Sequence, residues 1–271
     1  MDLIAVEHVF RPGTRADLPQ WRDRDVLLAG GTGLFAEPQP LARRLIDLHA
    51  LKWPALEVSA AGLRIAATCT LAEAEAARLP AEWTAAALIG ECCRALAGSF
   101  KVWNAATVGG NVCMALPAAP MLALTVALDG VAVIWLPGGG ERQAPMDAFA
   151  VGPQRTVLRS GEILRAVDLP TAALRRRAGL RQASLTALGR SAALLAATVD
   201  LGDGAFRVTI TASTVRPVLM AWPDPPGPVA LDDRIAALPD SMWFDDVHGA
   251  PAWRRHMTRR LAAELLHELT A

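Results

Sequence analysis

Tyrosine is absent from all 271 residues, although tryptophan occurs eight times. A charge imbalance is missing as well, because 27 Lys and Arg face 27 Asp and Glu. A neutral chain leaves no electrostatic footprint for nucleic acid or an anionic membrane surface. Arg175-Arg176-Arg177 and Arg254-Arg255 read as solvated faces or partner contacts. Cysteine is scarce: Cys69, Cys92, Cys93 and Cys113 fit neither paired zinc ligands nor the runs that hold iron–sulfur clusters. They read as reduced, partly buried thiols of a cytoplasmic protein. The N-terminus carries early acids and no basic start, so no secretory signal is expected. The longest apolar stretch, Pro120 to Leu136, is broken by Asp129-Gly130 and reads as helix, turn and strand, not a membrane span. The composition is 52% hydrophobic and 20% charged, which excludes disorder and suits a packed core.

Catalytic motifs are missing too. There is no G-x-x-x-x-G-K-[ST] loop, no G-x-S-x-G elbow and no H-E-x-x-H pair, and His8, His49, His248, His256 and His267 are scattered. No catalytic or metal-ligating residue is therefore assigned, and a cofactor is expected to carry any chemistry.

Two glycine-rich loops stand out instead. Ala29-Gly30-Gly31-Thr32-Gly33 follows the apolar run Val26-Leu27-Leu28, and Ala106-Thr107-Val108-Gly109-Gly110-Asn111 comes later. Glycines let backbone N–H groups converge on an anion, so two such loops could grip the phosphates of one dinucleotide. Gly31-x-Gly33-x-x-Ala36 also reads literally as a Rossmann fingerprint, with Asp47 as the ribose acid. That fingerprint must open a long helix, and Pro38 and Pro40 leave no room for one. Asp47 also comes early against the usual offset of about 20 residues. Pro137-Gly138-Gly139-Gly140 lacks threonine and reads as a turn.

Strands are expected at Asp25–Gly30, Arg44–Leu48, Leu56–Val58, Leu63–Ala67, Val131–Leu136 and Glu162–Leu169. Thr70-Leu71-Ala72-Glu73 is a capping box opening a helix to about Leu79, and a second helix covers Thr84 to Ala97, ended by Gly98. Met121–Leu128 is a short apolar helix. Beyond Pro170 come strands at Leu180–Leu185, Ala193–Val199 and Phe206–Ala212, then a proline-rich loop from Pro217 to Pro228. A C-terminal helix spans Trp253 to Leu269, with Arg254, Arg255, Arg259 and His267 on its polar face. A boundary near residue 170 divides the chain into 1–170 and 171–271. Trp103, close to the second loop, reads either as a cofactor contact or as a core or subunit-interface residue. Trp243, Phe244 and Trp253 are candidates for an exposed subunit contact.

The order of the two loops resembles the FAD-binding medium subunit of the molybdenum hydroxylases, the xanthine dehydrogenase and carbon monoxide dehydrogenase family. Ala29-Gly30-Gly31-Thr32-Gly33-Leu34 is similar to that family's A-G-G-T segment. Trp103-Asn104-Ala105-Ala106-Thr107-Val108-Gly109-Gly110-Asn111 is similar to its R-N-x-A-T-I-G-G-N segment. Leu45-Ile46-Asp47-Leu48, Gly62 to Glu73 and Gly161-Glu162-Ile163-Leu164 extend the likeness.

The resemblance implies an α+β fold: a FAD-binding domain of two α+β subdomains over 1–170 and a small antiparallel sheet with helices over 171–271. It implies FAD held through backbone amides of both loops, with Ala29, Gly30, Gly31, Thr32, Gly33, Leu34, Thr107, Gly109, Gly110 and Asn111 as cofactor-binding residues. It also implies a large partner carrying the molybdenum cofactor and a small partner carrying [2Fe-2S] clusters, with electrons passed through FAD to an external acceptor. Gly33, Trp103, Met114, Leu116 and Pro120 depart from the family's usual polar residues, and no tyrosine is present to stack on a flavin. A flavin-free scaffold of the same fold, or a free-standing NAD-dependent oxidoreductase built on Gly31 to Ala36, are the alternatives. The last requires a long helix starting near Gly33.

Overall fold

The computed structural model describes residues 3–271. A small parallel sheet comes first: β1 (His8–Phe10), β2 (Asp25–Leu28) and β3 (Arg44–Asp47), in the order β1-β3-β2. Arg44 is buried in it and donates from Nε to Asp25 Oδ1 at 2.6 Å and from Nη2 to the Gln20 carbonyl at 2.9 Å. Burial pushes the Asp25 carboxyl up, and the Arg44 guanidinium with the Arg22 N–H more than offset it, leaving its pKa lowered. The pair fixes the strand that runs into the first glycine loop.

A five-stranded antiparallel sheet follows: β4 (Leu56–Ser59), β5 (Gly62–Ala66), β6 (Val131–Trp135), β7 (Glu141–Pro145) and, after the ribbon β8 (Ala150–Gly152) and β9 (Arg155–Thr156), β10 (Ile163–Pro170). Its order is β4-β5-β10-β6-β7. One face, with Leu63, Ile65, Ala132, Ile134, Val167 and Leu169, packs on the helices. Trp135 and Ile163 meet Ile46, Leu48 and Leu51, which dock the small parallel sheet.

Between β5 and β6 lie α1 (Leu71–Glu75), α2 (Ala87–Ala95), α3 (Phe100–Trp103), α4 (Val108–Met114) and α5 (Pro120–Ala127). The capping box forms as its pattern predicts: Thr70 Oγ1 accepts from Glu73 N at 3.2 Å, and Glu73 Oε2 accepts from Thr70 N at 2.8 Å. Every residue of α5 is buried. A helix apolar all round must be enclosed, and this one lies between α2, α4 and the third sheet.

After α6 (Thr171–Leu174), the strands β11 (Arg177–Ala183), β12 (Ala193–Val199), β13 (Phe206–Thr211) and β14 (Val218–Trp222) form an antiparallel sheet in that order. Its outer face packs on α8 (Pro251–Thr270), with α7 (Pro228–Ala236) beside it. The fold is α+β. No helix among the described residues is long and apolar enough to cross a membrane.

Several expectations are corrected. The second long helix stops at Ala95 because Leu96 is extended (ψ 117°), so Gly98 caps nothing. The stretch from Pro217 to Pro228 contains β14, because its prolines flank the strand and leave every N–H between Val218 and Trp222 available. Arg254 is not on a polar face; it is 1% exposed, fixed by carbonyl acceptors from three chain segments. Arg176 is buried against Asp129, at 2.7 Å, and Asp200. Trp243 is buried, so it marks no exposed contact.

A pH window follows from Glu162, a buried carboxylate at the start of β10. Arg142 donates to it from Nε and Nη2 at 2.8 and 2.6 Å, and Arg159 N donates at 2.8 Å. The Arg142 bonds pull its pKa from 4.5 down to about 2. A carboxyl that ionises more readily when folded stabilises the fold above its unfolded pKa, and that contribution is lost as pH falls through the folded value. Urea midpoints should therefore fall between pH 4.5 and about 2. Glu162→Gln should flatten that part of the profile, and an unchanged slope in the variant would refute the assignment.

Candidate functional site

The first loop leaves β2 at Ala29 and turns sharply. Gly31 has φ +70°, a left-handed conformation in which a Cβ is strained. Phe35 N closes the turn by donating to Gly31 O at 2.8 Å, and Ala36 N donates to Gly33 O at 3.2 Å. Among the described residues, no protein acceptor takes the N–H groups of Gly31, Thr32, Gly33 or Leu34, nor the Thr32 hydroxyl. Thr32 and Gly33 are exposed. Consecutive free donors around a left-handed glycine form an anion-binding concavity.

From Gly33 to Arg43 the chain makes turns and no helix, then enters β3. The NAD-dependent alternative, whose fingerprint needs a long helix there, is overturned. Pro38 and Pro40 are spaced too closely to allow one.

The second loop is not a loop in its glycine part. Thr107 is the N-cap of α4, accepting from Gly110 N at 3.0 Å, so Val108 to Asn111 form the first turn of that helix. Thr107 also bridges Thr70, which ties α4 to the start of α1. Val108 N donates to Cys69 O at 2.8 Å, Gly109 N to Ala67 O at 2.9 Å, and Asn111 N to Thr107 O at 2.9 Å. The expectation that both loops offer amides to one diphosphate is corrected here: the N–H groups from 108 to 111 are already spent on protein acceptors. Two donors remain, the Thr107 N–H and the Asn111 Nδ2 group, which have no protein acceptor among the described residues. Asn111 Oδ1 accepts from Met121 N at 3.0 Å, the first free N–H of α5 behind Pro120.

The two loops do meet. A Cβ on Gly30 would stand 1.7 Å from the Ala105 carbonyl oxygen, so the backbones are in direct contact there. A Cβ on Gly109 would stand 2.4 to 2.6 Å from Ala67, so α4 lies hard against the end of β5. At the far side, a Cβ on Gly33 would lie 3.6 Å from Met114 Sδ, which rests the tip of the first loop on the end of α4. The glycines thus divide their work. Gly30 and Gly109 permit close packing, Gly31 permits the turn, and the donors are on Gly31 to Leu34.

Further residues complete the arrangement without a sequence signal that exposes their role. Ala105 and Ala106 are small because Gly30 packs on them, and their only trace in the sequence is a pair of alanines. Pro117 O accepts from Ala212 N at 2.7 Å, and Arg254 Nη1 donates to Ala212 O at 2.6 Å and to Ala192 O at 2.7 Å. The link from α4 to α5 is thereby tied to the third sheet and to α8. Trp103 is partly buried in the main core, with its Nε1 enclosed and unpartnered. Of the two readings for it, the core one describes where it packs. Among the described residues no three His, Cys, Asp or Glu side chains gather as a metal site would require.

The residues fit a bound dinucleotide at the first loop. Gly31 to Leu34 and Thr32 Oγ1 supply donors for an anionic group, and Asn111 Nδ2 and Thr107 N are the donors without a protein acceptor in the second segment, among the described residues. Charged side chains are not part of the cradle, so attraction comes from aligned N–H dipoles.

Comparison with solved structures finds the same fold along nearly the whole chain. Reconstituted carbon monoxide dehydrogenase from Oligotropha carboxidovorans matches with a TM-score of 0.85 at 19% identity, over 99% of both chains. Carbon monoxide dehydrogenase from Hydrogenophaga pseudoflava, in a form lacking the Mo-pyranopterin moiety of its cofactor, matches with 0.83 at 20% identity, over 97% of both. Quinoline 2-oxidoreductase from Pseudomonas putida 86 matches with 0.79 at 19% identity, over 99% of this chain and 98% of that one. No curated protein matches the sequence significantly. Residues 6–172, which hold both glycine segments, match the family described as the FAD binding domain in molybdopterin dehydrogenase, and the chain belongs to that family.

Proposed function

We propose that this chain is the FAD-binding electron-transfer subunit of a heteromeric molybdenum hydroxylase. Substrate is oxidised on a large subunit carrying the molybdenum cofactor, and a small subunit carrying [2Fe-2S] clusters connects it to this chain. The chemistry FAD supplies when bound is the exchange of electrons between those clusters and an external acceptor. Residues 1–170 act as the FAD-binding unit, and 171–271 as a C-terminal α+β unit that buttresses it through α5.

The observation that carries this reading is the run of free N–H groups from Gly31 to Leu34, pinned in place by the Gly30–Ala105 contact. These groups bind and orient the diphosphate. Thr32 Oγ1 adds a donor at its exposed rim. Asn111 holds α5 with its oxygen and offers its nitrogen to the ligand. Gly33, Leu116 and Pro120 supply no side-chain hydrogen bond. Two missing bonds of about 1 kcal/mol each weaken FAD binding by about 10- to 100-fold relative to a fully polar site.

Engagement of the amides from Val108 to Asn111 favours a second reading, a flavin-free scaffold of the same fold. Visible absorption of the purified chain during FAD titration separates the two. Saturation near one FAD per chain is expected. A chain that stays colourless at saturating FAD while copurifying with a large and a small subunit selects the scaffold.

A further inference from the structure

The sulfur atoms of this chain differ sharply in accessibility. Cys69, Cys92 and Cys93 are buried and Cys113 is half-buried; none is paired. Burial pushes the Cys69, Cys93 and Cys113 thiols up to about 12 and Cys92 well above its ordinary value, so the reactive thiolate is scarce at neutral pH. Met121, Met146 and Met220 are buried, and Met242 and Met257 are half-buried. Met114, 42% exposed, is the one exposed methionine among the described residues. Its thioether rests on Gly33, beside the N–H groups of Gly31 to Leu34 that no protein acceptor occupies.

We propose that Met114 is a peroxide-sensitive modification site whose oxidation closes the donor cradle of the first loop. The ligand affected is the dinucleotide diphosphate, so the proposal rests on the functional reading above. The oxidant is hydrogen peroxide. A sulfur lone pair attacks one peroxide oxygen, the O–O bond breaks and an S–O bond forms. Sulfur is oxidised by two electrons, and peroxide is reduced and leaves as water. The product is a sulfoxide, whose oxygen is a strong hydrogen-bond acceptor on a flexible stem. From Met114 that oxygen reaches the N–H groups beside Gly33 and competes with the phosphate oxygens for them. Because Gly33 has no side chain, nothing stands between the two. Methionine sulfoxide is reducible, so the cradle reopens without new synthesis.

The full chain, free of cofactor, is exposed to graded hydrogen peroxide. Peptide mass spectrometry locates each added oxygen, about 16 Da, and calorimetry measures the affinity for FAD and for ADP. Met114 should gain oxygen before Met242 and Met257. At that point FAD and ADP affinity should fall about tenfold, and methionine sulfoxide reductase should restore it. Met114→Leu should show the same affinity before and after peroxide, and Met114→Gln should bind more weakly than Met114→Leu. Earlier oxidation of any other sulfur, or unchanged affinity once Met114 is fully oxidised, overturns the proposal. A chain that binds neither FAD nor ADP before oxidation overturns the functional reading instead, and the order of oxidation still decides whether Met114 is the reactive sulfur.

Discussion

Gly30→Ala is expected to weaken FAD binding by about 100-fold, equivalent to about 2.7 kcal/mol. The new Cβ would stand 1.7 Å from Ala105 O and 2.7 Å from Ala105 C. Both are backbone atoms, so no side chain can swing aside. The loops must part by more than an ångström, and Ala105 and Ala106 are held from behind by their own N–H bonds to Val102 O. The first loop therefore moves, and its donors lose their aim at the diphosphate that the proposed function places between them and Asn111. Overpacking of this kind also costs about 1–3 kcal/mol of stability. FAD titration and urea unfolding of the variant check the two effects. Gly152→Ala, where a Cβ meets nothing within 4 Å, is the control and should change neither. Gly30→Ala with wild-type FAD affinity would show that the loop apposition does not build the site.

Arg254→Met should destabilise the chain by about 3–5 kcal/mol, the cost of breaking a buried charged network on one side. The Arg254 guanidinium donates from Nε to Gly249 O at 2.7 Å, from Nη1 to Ala192 O and Ala212 O, and from Nη2 to Asp246, and it lies over the Phe244 ring. Methionine keeps much of the stem volume and removes all five N–H donors. Buried carbonyls lose their partners, and Asp246 loses its counter-ion. Ala212 is also the residue with φ +64° whose N–H reaches Pro117 O, so its loss of support loosens the α4–α5 link. Urea unfolding reads the stability change. A loss below about 1 kcal/mol would mean that water satisfies those carbonyls and that Arg254 holds nothing in place.

The glycine segments illustrate how far a sequence alone can be read. Adjacent glycines with threonine mark where backbone must turn or approach backbone, and both segments do so. Which N–H groups stay free is a separate question, because it depends on acceptors that arrive from elsewhere in the chain. Ala67 and Cys69 supply them to the second segment. Among the described residues, none reaches the N–H groups of Gly31 to Leu34 in the first segment. Arg254 fails for the same reason. Its place in a four-residue apolar spacing suggests a polar face, yet the carbonyls of Ala192 and Ala212 converge on it from two distant segments and that of Gly249 from just before its own helix. A proline count hides β14, whose prolines lie just outside its paired residues.

Local chemistry was decided by the sequence. The capping box at Thr70, the strand at Ala193–Val199 and the apolar helix before Asp129 follow from short-range patterns, because caps, turns and periodicity depend on neighbouring residues, and the two glycine segments carried the resemblance to the family. The tertiary structure alone decided which N–H donors stay free, which arginines are buried and, among the described residues, which methionine is exposed. Those properties depend on what the fold places opposite each group, and that partner is distant in the chain.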